Sequence, residues 1–297
     1  MNDVTRRAFL GGAIAGVALA GRSPAIEPIQ RSGKPHVKLS LAAYSFNRYM
    51  SLKGKTPPTM TMDDFADFAV GIDLEAIEPT AYYFADASDK ALSKFRGRCT
   101  RLGLDISGTA IGNDFCKADP AELRKQMEYT KQWIDHAAIL GAKTIRIFAG
   151  TAPKSEPEES IRRRVVESFE EACEYAAKFG ILLALENHGG ITATIDQMLA
   201  LVKAVKSPWF GVNFDTGNFV TEDPYGDLTK LAPYAVVCQI KTEIQRKGQP
   251  KEPADLKRKL DILRGVGFRG YVALEYEAAE DPHTAVPKAI EALRKVL

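Results

Sequence analysis

The sequence predicts a single α/β domain, a (β/α)8 barrel of the TIM type. Eight apolar, strand-like runs alternate with eight helix-period segments over about 260 residues, which is the arithmetic of that fold. No Gly-x-Gly-x-x-Gly follows any of the strands, so the main signature of a doubly wound sheet is missing. No Gly-, Ser- or Pro-rich linker interrupts the alternation, and one domain is expected over residues 36–297.

The first strand is VKLSLAAYSF (37–46); a long loop leads from it to the helix MTMDDFADFAVG (60–71). LEAIEPT (74–80) precedes the helix ASDKALSKFRGRCTRLG (87–103), and LDISGTAIG (104–112) precedes DPAELRKQMEYTKQWIDHAAILG (119–141). TIRIFAG (144–150) is followed by PEESIRRRVVESFEEACEYAAKFG (157–180), and ILLALEN (181–187) by TIDQMLALVKAV (194–205). WFGVNFD (209–215) leads to a short helix near GDLTKLAPY (226–234), and AVVCQIK (235–241) to ADLKRKLDILRGVG (254–267). GYVALEYE (270–277) and DPHTAVPKAIEALRKVL (281–297) complete the eight units. Gly71, Gly103, Gly141, Gly180 and Gly267 stand where left-handed helix ends are expected. Asp119-Pro120 and Asp281-Pro282 read as an N-cap followed by proline in the first helical position.

Residues 1–26 are expected to lie outside the domain. TRRAFLGG, the apolar run AIAGVALA and an Ala-Leu-Ala ending at Ala20 read as a cleavable export signal. The paired Arg6-Arg7 resembles the twin-arginine class. The apolar run is too short and too rich in Gly and Ala to span a bilayer. A periplasmic or otherwise exported protein is expected, with no membrane association in the mature form. The net charge is +2 and the basic residues are dispersed among acidic ones. Arg162-Arg163-Arg164 sits between acidic stretches as a solvated helix face, so nothing points to nucleic acid. Cys99, Cys116, Cys173 and Cys238 show no metal spacing, and the three that fall in helix- or strand-like runs are expected to pack as small apolar residues. The oligomeric state stays open.

Barrel active sites lie at the C-terminal mouth, so polar residues at strand ends are the ones to collect. Glu186 and His188 close the fifth strand in LALENHGG; Asp215 and Asn218 close the sixth in NFDTGN. Gln239 and Lys241 close the seventh in QIKTE, and Glu275 closes the eighth in VALEYE. Three carboxylates converging in one quadrant raise one another's pKa unless a cation neutralises them. Oxygen donors favour a hard divalent ion, Mn2+ or Mg2+. The bland alternative is that each acid pairs with a neighbouring base, Arg146 and Lys241 being available.

In these four motifs, and along nearly all of residues 36–297, the chain resembles the xylose isomerase-like superfamily of sugar isomerases and epimerases. The resemblance implies one divalent metal held by Glu186, Asp215, Gln239 and Glu275, with Gln239 standing where the superfamily usually has His. It also implies that Glu186 and Glu275 remove and return a proton beside a sugar carbonyl, the outcome being isomerisation or epimerisation. With a leaving group β to the carbonyl, the same carbanion would eliminate water or an aglycone from a keto-sugar or keto-glycoside, as a lyase does. Lys241 is open between base, stabiliser of the enediolate and counter-ion. His188 is open between the mouth and a capping role. Asn218 resembles a substrate-contacting position, and Glu78 is expected to bind a hydroxyl or to pair with Arg146. Tyr82-Tyr83-Phe84 is a candidate pocket wall, and FNRYMSLKGKTPP is a candidate lid. The apurinic-site endonucleases share this barrel, but their multi-zinc site is rich in histidine. His36, His136 and His283 lie away from the strand ends here. A small, non-phosphorylated sugar or keto-sugar is the expected partner.

Overall fold

Residues 26–54 and 56–297 are described by the structure, a computed structural model. The expected export signal lies outside them except for Ile26. Residues 26–35, ahead of the first strand, lie against the barrel. The Ile29 N–H donates to the Pro233 carbonyl (3.0 Å), and the Arg31 guanidinium donates to the Ala235 carbonyl.

The barrel strands are β1 (His36–Ala42), β2 (Ala76–Glu78), β3 (Asp105–Ile106), β4 (Thr109–Ala110), β5 (Thr144–Ile147), β6 (Leu182–Glu186), β7 (Phe210–Asp215), β8 (Ala235–Ile240) and β11 (Arg269–Leu274). They pair in parallel in the order β3-β2-β1-β11-β8-β7-β6-β5-β4. The third predicted strand is therefore split. Its first half pairs with β2 and its second with β5, and a lone bridge between Thr80 and Ala110 closes the ring. The break falls at Ser107-Gly108. The Ser107 hydroxyl bonds the Ile77 carbonyl (3.1 Å) and the Ser40 hydroxyl (2.8 Å). Gly108 passes so close to Thr144 that a Cβ would lie 2.5 Å from Thr144 Oγ1. A short hairpin, β9 (Glu243–Gln245) with β10 (Lys251–Pro253), extends from the end of β8.

A bulge decides which residues of β8 face inward. Val212 pairs with Ala235 but Asn213 pairs with Val237, so Val236 is the extra residue. Gly211 makes room for it, since a Cβ there would lie 2.5 Å from Val236 Cγ1. One inserted residue exchanges the faces of the strand beyond it. Asn213 and Asp215 on β7 thereby come opposite Val237 and Gln239 on β8.

All eight predicted helices form: α2 (Met62–Gly71), α3 (Asp89–Arg101), α4 (Pro120–Leu140), α5 (Glu158–Ala177), α6 (Ile195–Ala204), α7 (Pro224–Leu231), α8 (Leu256–Gly265) and α9 (Pro282–Arg294). A short α1 (Asn47–Met50) precedes them. They cover the strands with apolar stripes at helical spacing. On α4 the stripe is Met127, Thr130, Trp133, Ile134, Ala137 and Leu140. Asp119 and Asp281 cap their helices as expected. Gly103, Gly141, Gly180 and Gly267 have positive φ, but Gly71 does not; α2 runs through it, and Asp73 takes the left-handed conformation (φ 56°). The four cysteines are buried and free. Arg163 is exposed as expected, whereas Arg164 reaches the Cys116 carbonyl (2.9 Å) and Glu156 (2.6 Å) and so ties down the loop after β4.

Candidate active site

The ends of β6, β7 and β11 bring Glu186, Asp215 and Glu275 together. One oxygen of each lies within 4.8 Å of the others, and all three residues are buried. Asp215 is fixed by its own turn: Oδ1 accepts the N–H groups of Gly217 (2.8 Å) and Asn218 (2.9 Å). Its other oxygen, Oδ2, is buried with no hydrogen-bond partner among the described residues. Glu186 Oε1 accepts from the Asn218 side chain (2.8 Å), and Oε2 lies 2.9 Å from Arg146 Nε. That second contact is a charge pairing, because the Nε–H has no aligned acceptor among the described residues. Arg146 is oriented by the Ile111 carbonyl (2.7 Å) and lies 4.0 Å from the Phe148 ring centre.

Lys241 sits just past the end of β8 with its ammonium among acids. Nζ is 2.5 Å from Glu277 Oε2, 3.0 Å from Asn218 Oδ1, 3.3 Å from Glu275 Oε2 and 3.4 Å from Asp215 Oδ2. Gly217 leaves space for the lysine stem, since a Cβ there would lie 2.7 Å from Lys241 Cδ. Burial works against the ammonium, but Asp215, Glu275 and Glu277 outweigh it and hold the lysine pKa well above its ordinary value. Burial raises the pKa of Glu186 to about 7 in spite of Arg146. It raises Glu275 well above the usual carboxylate range in spite of Lys241.

Gln239, the fourth expected ligand, is engaged at both ends by protein. Its Nε2 donates to Glu78 Oε1 (2.6 Å), and its Oε1 accepts from the Asn213 side chain (2.6 Å). The expected substrate contacts also divide. Glu78 and Arg146 are buried and held by protein groups, and Arg146 pairs with Glu186 rather than with Glu78. Asn218 bridges Glu186 and Lys241. His188 reaches the mouth. It packs on Phe148, ring centres 4.5 Å apart, and lines a cavity of about 480 Å3 with Gly112, Asn113, Gly150 and Thr151. The ring reaches solvent, yet desolvation by the surrounding atoms and the Arg146 and Lys241 cations lower its pKa and favour neutral imidazole. Tyr82 stands at the rim, its hydroxyl 3.3 Å from Arg146. The candidate lid flanks a cavity of about 450 Å3, where Met50, Leu52, Pro58 and Met60 face Tyr83 and Phe84. Glu277 was not among the expected residues, although it stands two positions after Glu275 and so points the same way on an extended chain.

A family model described as the xylose isomerase-like TIM barrel matches residues 66–296. The chain belongs to this family. Among its relatives, L-ribulose-5-phosphate 3-epimerase UlaE of Escherichia coli (strain K12) is 24% identical over 180 residues, 58% of this chain. The match spans 63% of that enzyme's length, under two thirds of it. D-psicose 3-epimerase of Clostridium cellulolyticum H10, solved with D-tagatose, superposes with a TM-score of 0.70 at 14% identity, covering 88% of this chain and 99% of that one. A xylose isomerase-like TIM barrel protein of Mycobacterium smegmatis, in complex with magnesium, superposes with a TM-score of 0.67 at 20% identity, covering 88% and 96%. Likeness at these identities establishes the shared barrel.

The family implies a divalent metal, and the acidic cluster suits one. Glu78, Glu186, Asp215, Glu275 and Glu277 stand against the two cations Arg146 and Lys241. The three converging carboxylates are hard oxygen donors, and Asp215 Oδ2 accepts no hydrogen bond among the described residues, its one charged neighbour there being Lys241 Nζ at 3.4 Å.

Proposed function

We propose that this protein is a sugar isomerase or epimerase that moves a proton at the carbon beside a sugar carbonyl, with one divalent cation, Mn2+ or Mg2+, held by Glu186, Asp215 and Glu275. The supporting observation is the convergence of these buried carboxylates from three strand ends at a barrel mouth. A cation bound there would polarise the carbonyl and acidify the neighbouring C–H. Glu186 and Glu275 come from β6 and from just past β11, with β7 and β8 between them, so they approach a substrate from two sides. One removes the proton and the other returns it. Asn218 and Arg146 fix the Glu186 carboxylate in place. Lys241 keeps its proton at neutral pH, which favours the stabiliser of the developing enediolate oxygen over the base.

The substrate is a small sugar without phosphate. Among the described residues, the cavity beside His188 has no Lys or Arg in its lining, so a phosphate placed there would meet no counter-charge, unlike in the smaller cavity that Lys241 and Lys251 line. The protein reaches its compartment through the twin-arginine-type signal at residues 1–26. N-terminal sequencing of the exported form tests that proposal, and an intact Met1 would refute it. For the reaction, keto-sugars and keto-glycosides are incubated with the protein and Mn2+ in D2O. An epimerase places solvent deuterium at the reacting carbon and otherwise conserves mass. Release of water or an aglycone would make the protein a lyase, and deuterium uptake from none of the substrates would overturn the proton-transfer reading.

A further inference from the structure

Strand β8 ends at Ile240, so Lys241, unlike Glu186 and Asp215, lies beyond the parallel ladder. Its backbone is held by other means. The Lys241 N–H donates to the Thr216 hydroxyl (2.9 Å), and the Thr242 carbonyl accepts from the Ala254 N–H (2.9 Å). The two flanking carbonyls are held by one side chain from a helix outside the barrel: Lys259 Nζ on α8 donates to the Lys241 carbonyl (2.8 Å) and to the Glu243 carbonyl (3.1 Å). Lys259 is wholly buried. An amine enclosed with only neutral carbonyls for partners is an expensive way to occupy a helix position that Met or Leu would fill. Its two bonds go to the residue that carries the site ammonium and to the first residue of the β9–β10 hairpin.

We infer that Lys259 is a positioning residue: it clamps the backbone at Lys241 and Glu243 and thereby aims the Lys241 ammonium at Asp215, Glu275 and Glu277. This rests on reading Lys241 as a working group of the site. Its test, however, needs neither metal nor substrate, so it fails or succeeds apart from the proposed reaction. The probe is reductive methylation of lysines with formaldehyde, followed by peptide mass spectrometry on the full chain. In the native protein Lys241 is enclosed and labels slowly. Lys259→Met keeps the bulk of the side chain and removes its donors. Labelling at Lys241 then rises by about tenfold or more, the scale of losing a hydrogen bond to a charged group. The half-buried Lys38 and Lys131 stay as they were. Lys259→Gln has a shorter amide that reaches one carbonyl at most. It gives an intermediate rate, and it carries the measurement if the Met variant does not fold. An unchanged Lys241 rate in a folded variant overturns the inference. So does a rise at the half-buried Lys38 and Lys131 together with Lys241, which would mean general loosening. Failure of both variants to fold would assign Lys259 to stability alone and overturn it as well.

Discussion

Replacing Gln239 by Leu separates two roles that the sequence leaves open for it. The amide is bonded at 2.6 Å to Glu78 and at 2.6 Å to Asn213, and both partners are buried. Leucine fills similar space but leaves Glu78 Oε1 and Asn213 Nδ2 without those partners. An orphaned buried group costs about 1–3 kcal/mol, and more when it is charged, so the pair should cost about 3–5 kcal/mol. At about 2–4 °C per kcal/mol for a large domain, the melting temperature falls by about 6–20 °C. Thermal unfolding in EDTA measures this loss, and calorimetric titration with Mn2+ measures the other role. If Gln239 is a bridge between Glu78 and Asn213, Mn2+ affinity changes by no more than about 10–100-fold, the range for partners behind the ligands. An unchanged melting temperature together with near-complete loss of Mn2+ binding would refute the bridge and return Gln239 to the ligand set.

Mn2+ binding should strengthen as pH rises from 6 to 8. Burial lets Glu186 and Glu275 keep protons that the unfolded chain has already released, and a cation must displace them. The gain is up to about tenfold per pH unit for each proton displaced. A flat profile would show that both carboxyls are ionised before binding. The same sign makes the metal-free fold lose stability from the ordinary carboxylate range up through about pH 7, because the folded state there binds more protons than the unfolded one. Glu275→Gln replaces a buried carboxyl, whose ionisation the crowded cluster opposes, by a neutral amide, so the metal-free variant should melt no lower than the native protein while turnover falls by at least about 100-fold. Gly217→Ala should lower turnover with little change in overall helix content, because the new Cβ meets the Lys241 stem at 2.7 Å; wild-type kinetics would show that the lysine has room to shift. Deleting residues 51 to 57 should cut turnover and raise KM without altering Mn2+ affinity if this loop closes over the sugar, and unchanged kinetics would assign specificity to the loops after β2 and β4.

The helices were legible because each carries an apolar stripe at helical spacing, and the strands because they are short apolar runs between turn signals. The split at Ser107-Gly108 was not, since LDISGTAIG reads as one run and the close approach to Thr144 exists only after folding. The β9–β10 hairpin was missed because its strands are three residues each and Ile244 is the one buried apolar residue in them, too little for an alternation to read. Glu186, Asp215 and Glu275 were found from their places at strand ends. The partners of Gln239 were not, because Asn213 is 26 and Glu78 is 161 positions away. Lys259 carried a faint signal, standing at helical spacing from Leu256 and Leu263 on the buried stripe of α8, but its carbonyl partners are set only by the fold.

The broken third strand makes the wall of the barrel unequal around its circumference. From β5 through β6, β7, β8 and β11 to β1 the parallel ladder is continuous, and this arc carries the carboxylates and their cations. Between β2 and β5 the wall is two residue pairs on either side of a gap, held by a lone bridge. Amide protons of Thr109 and Ala110 should therefore exchange with solvent faster than those of β6 or β7. The cavity beside His188 opens next to that seam, at Gly112 and Asn113. Under the proposed function, a guest at the mouth would meet the least tied part of the wall here, while Glu186, Asp215 and Glu275 stand on or beside the continuous arc.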